Sequence, residues 1–256
     1  MENPVVEVKN LEIGYDKTVV LKDISFSVEP GEIFVILGGS GCGKSTLLKH
    51  IIGLYNPFKG EILIYGESIV KADENEKRRM MKSFGVTYQG GALFGSLTVG
   101  ENISLVLEEH TNHSKDEIDK IVDEKLSLVD MDKFRNYMPS EISGGMRKRA
   151  GIARAMALDP KLLFFDEPSA GLDPITSAEL DRLILDLSKK SGATMVIVTH
   201  ELDSIFTVAD RVIMLDSNSK TMVAEGKPQT LLENPPIPRV KEFLTRSGLK
   251  RKHYCD

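Results

Sequence analysis

Cysteine is scarce in this 256-residue sequence: Cys42 and Cys255 are the only two. Two isolated thiols form neither a disulfide framework nor a metal-ligand cluster, which suits a reducing cytosol. Long apolar runs are missing too. Stretches such as Ile33–Leu37, Leu162–Phe165 and Met195–Val198 fall far short of the roughly 18 apolar residues needed to span a bilayer. The opening segment MENPVVEVKN has no basic region followed by an apolar one, so no secretory signal is expected. Basic charge is not in excess either, with 33 Lys+Arg against 38 Asp+Glu and a formal net charge of −5, which argues against a nucleic-acid partner. No internal repeat or low-complexity tract occurs. Work at a membrane would therefore run through a partner protein.

What the chain does have is enough apolar residues, 41%, to bury a substantial core, arranged in the order of an α/β fold. Val5–Ile13 and Val19–Val28 read as strands flanking the turn signal Gly14-Tyr15-Asp16. Ile33–Leu37 is continuously apolar and ends in glycines, as a buried strand does. A helix is expected from Lys44 to about Leu54, with Pro57 and Gly60 marking its end. Glu61–Tyr65 and Phe84–Tyr88 read as short strands. The run Lys71–Arg79 is most simply a solvated helix face.

From about Gly90 to Asp159 the pattern turns helical. Thr98 with Glu101, and Ser114 with Glu117, have capping-box spacing. Ile118, Ile121, Val122, Leu126 and Val129 form an apolar stripe interrupted by Lys125. Ser143 would cap a third helix through Ala157. Strand-like segments return at Leu162–Phe165, Met195–Thr199, Arg211–Leu215 and Thr221–Glu225, while Asp173 and Pro174 supply N-cap and N1 of a helix reaching Lys189. The segment after Asn234 is proline-punctuated and ends basic. It either packs on the core or on a second copy, or it frays, and the pattern leaves both open.

The chemistry is concentrated in three places. Gly38-Gly39-Ser40-Gly41-Cys42-Gly43-Lys44-Ser45 matches G-x-x-x-x-G-K-[ST] between an expected strand and an expected helix. Such glycines let successive N–H groups turn toward a phosphate, and the helix N-terminus adds positive potential. Lys44 would neutralise the β- and γ-phosphates and the Ser45 hydroxyl would ligate Mg²⁺. Cys42 in this loop reads as a small residue that fits. Leu162-Leu163-Phe164-Phe165-Asp166-Glu167 delivers adjacent carboxylates to a strand end, where alternation would send them to different jobs: Asp166 to Mg²⁺, Glu167 to the attacking water. Ser143-Gly144-Gly145 at a helix start is a second anion site or a plain capped helix, and spacing alone does not choose.

Taken together these motifs resemble the nucleotide-binding domain of ATP-binding cassette (ABC) proteins. The resemblance covers nearly all of Val5 to Gly226, in order. It implies a P-loop NTPase fold with a RecA-like core, an antiparallel β subdomain and an inserted helical subdomain at about 90–159, the ATPase domain spanning 5–234 and a C-terminal tail 235–256. Ser143-Gly144-Gly145-Met146 is similar to the family signature, Gln89 falls in the interval of the Q-loop that touches Mg²⁺ or water, and Ser169-Ala170-Gly171-Leu172-Asp173 resembles the D-loop. His200 resembles the switch histidine, and Tyr15 takes the place of the aromatic that stacks on adenine; a plain surface tyrosine and a helix-capping histidine are the alternatives. Thr46 follows Ser45 in the nucleotide loop. His50, His110, His113 and His253 read as structural or solvated.

The resemblance further implies ATP and Mg²⁺, a catalytic set of Glu167, His200 and Lys44, and a homodimer in which ATP on one P-loop is closed over by the other copy's Ser143 segment. Transmembrane permease subunits and a peripheral place on the cytoplasmic face of the inner membrane follow from it. Met146 where glutamine is usual, the run Gly90–Val99, and Asp173-Pro174-Ile175-Thr176 are similar to Mla-type ATPases, which serve MCE-protein phospholipid transporters. An MCE-type substrate-binding partner is implied. The rivals are ATPases for amino acids, ions or drugs and, in a different class, ABC ATPases acting on DNA or ribosomes. Against the latter, the interval from Lys44 to Ser143 holds no sustained heptads.

Overall fold

A computed structural model of the chain describes residues 3–245. The expectations for His253, Cys255 and the end of the tail lie outside the described residues. Contacts divide the chain into two compact units: one takes the chain up to Lys71 and again from Val198, the other is Ala72–Ile197.

The first unit opens with β1 (Val6–Tyr15) and β2 (Thr18–Val28), an antiparallel hairpin whose register runs from Val6 opposite Val28 to Tyr15 opposite Thr18. Their alternate residues Val6, Val8, Leu11, Ile13 and Leu21 are buried, so the period-2 pattern supplies the core face. β3 (Ile33–Gly38) is buried at every position, as its unbroken apolar run requires. α1 (Lys44–Ile51) follows. It stops three residues short of the expected Leu54 because Gly53 adopts φ 78°. The Gly53 N–H donates to His50 O at 3.1 Å and the Leu54 N–H to Lys49 O at 2.9 Å, the paired bonds of a Schellman stop. β4 (Lys59–Ile64) and β5 (Glu67–Ser68) complete an antiparallel sheet ordered β2-β1-β4-β5.

In the second unit come α2 (Glu74–Met81), β6 (Phe84–Thr87), α3 (Val99–His110), α4 (Lys115–Ser127), α5 (Gly144–Ala155), β7 (Leu162–Asp166) and α6 (Pro174–Ser191). Both expected capping boxes form, at Thr98/Glu101 and Ser114/Glu117. β6 and β7 pair in parallel, from Phe84 opposite Leu162 to Thr87 opposite Phe165. The apolar stripe of α4 is not broken by Lys125: its side chain is 1% exposed and its ammonium pairs with Glu124 at 2.8 Å and Asp159 at 2.6 Å. The stem fills the core while the charge is matched.

β8 (Thr194–Thr199) runs across the sequence boundary of the units. The first unit then resumes with α7 (Leu202–Val208), β9 (Arg211–Asp216), β10 (Thr221–Gly226), α8 (Pro228–Glu233) and α9 (Pro238–Leu244). β3 pairs in parallel with β9, and β9 antiparallel with β10. Arg211 anchors this edge: it grips Glu32 with Nε at 2.7 Å and Nη2 at 3.0 Å, and lies 4.9 Å over the Phe34 ring. The stretch after Asn234 is not frayed as far as Leu244, because α9 buries Val240 and Leu244. Among the described residues no helix is long and apolar enough to cross a membrane.

Candidate functional site

In the first unit β3 ends directly in the glycine loop. Gly38, Gly41 and Gly43 take φ values of 154°, 75° and 99°, a region costly for any side chain. A Cβ at Gly38 would lie 2.5 Å from Cys42 Sγ, and one at Gly43 would lie 2.9 Å from Val20. Around Gly39 and Gly41 an added Cβ meets nothing within 4 Å among the described residues. α1 follows the N-cap Gly43, which supplies no side-chain cap bond, and its N-terminus adds positive potential beside the loop. Lys44 is buried and its ammonium bridges the loop, donating to Gly38 O at 3.0 Å and Gly39 O at 3.3 Å. Burial raises the Cys42 thiol above its ordinary pKa, and Lys44 works against that rise. This loop fits a polyphosphate.

Two more expected residues belong to the same unit. Tyr15 closes β1 half-exposed, and its hydroxyl donates to Thr46 Oγ1 at 3.2 Å, so the aromatic is tied to the helix that starts at the loop. His200, just past β8, is exposed, with Nε2 3.6 Å from Glu201. Gly39, Ser40 and His200 line one cavity of about 610 Å³, with Asp216, Arg239 and Phe243 on its other walls. Asp216, Arg239 and α9 were not candidates from sequence. Only the short apolar spacing of Val240 and Leu244 hinted that α9 packs.

The second unit carries the remaining candidates. Ser143 is the N-cap of α5, accepting from Met146 N at 3.2 Å, so the capped-helix reading holds as local structure. Gly145 is needed for packing: a Cβ there would come within 2.6 Å of Thr176 Cγ2 at the start of α6. Asp173 caps α6 through Ile175 N and Thr176 N, both at 3.1 Å, and takes the Thr176 hydroxyl at 2.6 Å. Those bonds, the Thr176 hydroxyl first, hold its carboxyl below the ordinary range. Asp166 and Glu167 are both 8% exposed. The pleat expected to part them stops at Asp166, since β7 ends there and Glu167 takes φ 50°, strain seldom accepted without a use.

Lys148, which was not a candidate from sequence, organises this unit. It is 9% exposed, and its ammonium donates to Gln89 O at 3.0 Å and to Glu167 O at 3.1 Å. One side chain of α5 thus ties the Gln89 loop to the carboxylate turn. Burial pushes its pKa down, and the Glu167 charge opposes that. Arg147 donates to Ile142 O at 2.8 Å and Arg154 to Ala92 O, while a Cβ at Gly151 would stand 3.0 Å from Gly91 O. Gln89 itself is exposed at the loop's mouth.

Residues 21–170 match the family model described as "ABC transporter". Over 239 residues the chain is 43% identical to the "Probable ribonucleotide transport ATP-binding protein mkl" of Mycobacterium leprae, covering 93% of this chain and 68% of that protein; it spans about two thirds of such mycobacterial relatives. It is 38% identical over 240 residues to the intermembrane phospholipid transport system ATP-binding protein MlaF of Escherichia coli K12, covering 94% and 88%. Among solved structures, a dimeric post-hydrolysis ATP-binding cassette bound to ADP and Pi superposes with a TM-score of 0.79 at 30% identity, covering 87% of this chain and 98% of that one.

Proposed function

This chain belongs to the ABC transporter family and is an ATP-binding, ATP-hydrolysing subunit; from that premise we propose that it powers phospholipid movement between membranes. The observation that carries the ATPase chemistry is the glycine loop with Lys44 folded across its carbonyls. The lipid substrate is supported by the likeness to MlaF along 88% of that protein, together with Met146 in the signature.

In this reading the loop N–H groups and Lys44 take the β- and γ-phosphates, and Tyr15 stacks on adenine. By the family resemblance Ser45, Gln89 and Asp166 are the residues that would hold Mg²⁺, which when bound would supply charge neutralisation at the phosphates. Glu167 orients and deprotonates the water that attacks the γ-phosphorus. The bond to the β–γ bridging oxygen breaks, and ADP and phosphate leave. His200 contacts the γ-phosphate. Ser143, Gly144, Gly145, Met146 and Asp173 of a second copy close over the nucleotide, a role supported by the dimeric state of the solved relative. Permease subunits and an MCE-type partner receive the motion, and the chain sits peripherally on the cytoplasmic face of the inner membrane.

The mycobacterial relative's name supports a second reading, ribonucleotide transport. Reconstitution of the chain with its copurifying membrane subunits in proteoliposomes decides between them. ATP-dependent transfer of labelled phospholipid to acceptor vesicles is expected. Uptake of labelled ribonucleotide without lipid transfer overturns the lipid assignment.

A further inference from the structure

Tyr15 does not stand alone on the surface. The Tyr55 ring meets it edge-on, with centroids 5.5 Å apart and planes at 87°. Tyr55 comes just after the glycine stop of α1. On the last turn of α1 His50, 1% exposed, packs beside both rings, with its ring centroid 6.5 Å from Tyr15 and 5.7 Å from Tyr55. His50 Nδ1 is 2.8 Å from Thr46 O, while Thr46 Oγ1 holds the Tyr15 hydroxyl. The other ring nitrogen, Nε2, is buried without a hydrogen-bond partner among the described residues. Thr46 O can only accept, so Nδ1 carries the proton and donates to it, and burial holds this imidazole below its ordinary pKa. A buried polar atom left unsatisfied calls for a reason; a leucine would fill the place without one.

The reason lies in what the cluster does to Tyr15. A half-exposed tyrosine turns freely about its broad ring torsion, and a ligand that stacks on it must first immobilise it. Here an edge contact, a buried ring and a hydroxyl bond hold the plane in advance. A packed aromatic pair of this geometry is worth more than its area alone. The glycine loop, which meets only phosphates, cannot sense the base.

We propose that Tyr55 and His50 are positioning residues that fix the plane of Tyr15, giving this site its preference for purine over pyrimidine nucleoside triphosphates. The proposal rests on Tyr15 being the base platform. A rigid plane rewards the larger overlap of a purine, whereas a mobile ring adapts to either base and discriminates less.

Calorimetric titration of the full chain with ATP, CTP and inorganic tripolyphosphate, each with Mg²⁺, tests this. Tyr55→Ala and His50→Leu are expected to weaken ATP about threefold to tenfold. CTP should weaken by less than about twofold on the same arithmetic, and tripolyphosphate not at all. KM for ATP rises while kcat at saturation holds. Tyr55→Phe, which keeps the ring, should behave as the parent. An unchanged ATP/CTP ratio in Tyr55→Ala and His50→Leu overturns the proposal, as does a parallel loss of tripolyphosphate, which would mean damage to the loop. Tyr15→Ala separates the premise: if it leaves ATP affinity intact, the base does not sit on Tyr15 and both readings fall. If Tyr15→Ala alone weakens ATP, only the positioning role is lost.

Discussion

The glycine loop of the first unit and the α5 region of the second solve opposite problems. The loop is built from backbone freed of side chains: three glycines at positive φ, an uncapped helix start, and a lysine resting on the loop's own carbonyls. Around α5 the cations are committed inward instead. Lys148, Arg147 and Arg154 all donate to main-chain carbonyls of neighbouring loops, and glycines there serve close packing, as Gly145 does against Thr176. Lys44 thus spans carbonyls of its own loop, whereas Lys148 on α5 braces two loops distant from it in sequence. The same residue type takes different work from the carbonyls it meets.

Substitutions that exchange those roles should hurt unequally. The largest loss is expected from Lys44→Ala and from Glu167→Gln, each lowering ATPase turnover by more than about a hundredfold. They differ in kind: Lys44→Ala should also lose ATP affinity, whereas Glu167→Gln should bind ATP and accumulate an ATP-dependent dimer, seen by size-exclusion with light scattering. Normal turnover in Glu167→Gln would remove it as the base.

The brace comes next. Lys148→Met keeps the buried stem but deletes both bonds, and should cost about 2 kcal/mol of stability in denaturant titration. Turnover should drop about tenfold with little change in ATP affinity, since the Glu167 turn loosens and the loop does not. Equal effects on affinity and turnover would show that the two regions are not separable in this way.

Packing at the signature is smaller. Gly145→Ala should destabilise by about 1–2 kcal/mol through its clash with Thr176 Cγ2. Thr176→Ser, which removes that methyl and keeps the hydroxyl on Asp173, should restore the melting temperature in the double variant. Failure of that rescue would place the strain elsewhere.

The smallest effect is the pH response of the helix caps. Glu101 and Glu117 are held below the ordinary carboxylate range, first by the backbone N–H groups of Thr98 and Ser114, and Asp173 likewise, first by the Thr176 hydroxyl. Their folded pKa values lie below the unfolded ones. The stability they add is therefore complete above about pH 4–5 and fades as pH falls through the folded values. Melting temperature should decline on acidification. Glu101→Gln with Glu117→Gln, which preserve the cap acceptors, should flatten that decline.

Much of this was legible beforehand for reasons that can be stated residue by residue. The strands, the capped starts of α3, α4, α5 and α6, and the glycine loop each depend on neighbours within a few positions, so their pattern is in plain view. α1 ends before the stop that Pro57 and Gly60 suggest, because Gly53 takes a left-handed φ of 78°, a torsion that its place in the sequence does not announce. Lys125 looked like a break in a stripe because an unpaired lysine would be one; Asp159, distant in sequence, makes it a core residue. Lys148 is of the same kind, since nothing local shows that it faces Gln89 O and Glu167 O, whereas the structural reading of His50 holds, with the ring buried and bound to Thr46 O.

The sequence by itself determined where backbone must turn at the glycine loop and where helices must begin, because glycine torsions and cap hydrogen bonds are local. Only the tertiary structure decided which buried charges and rings act as braces. A lysine or histidine in the interior is defined by the carbonyl or aromatic ring it reaches, and those groups arrive from elsewhere in the chain.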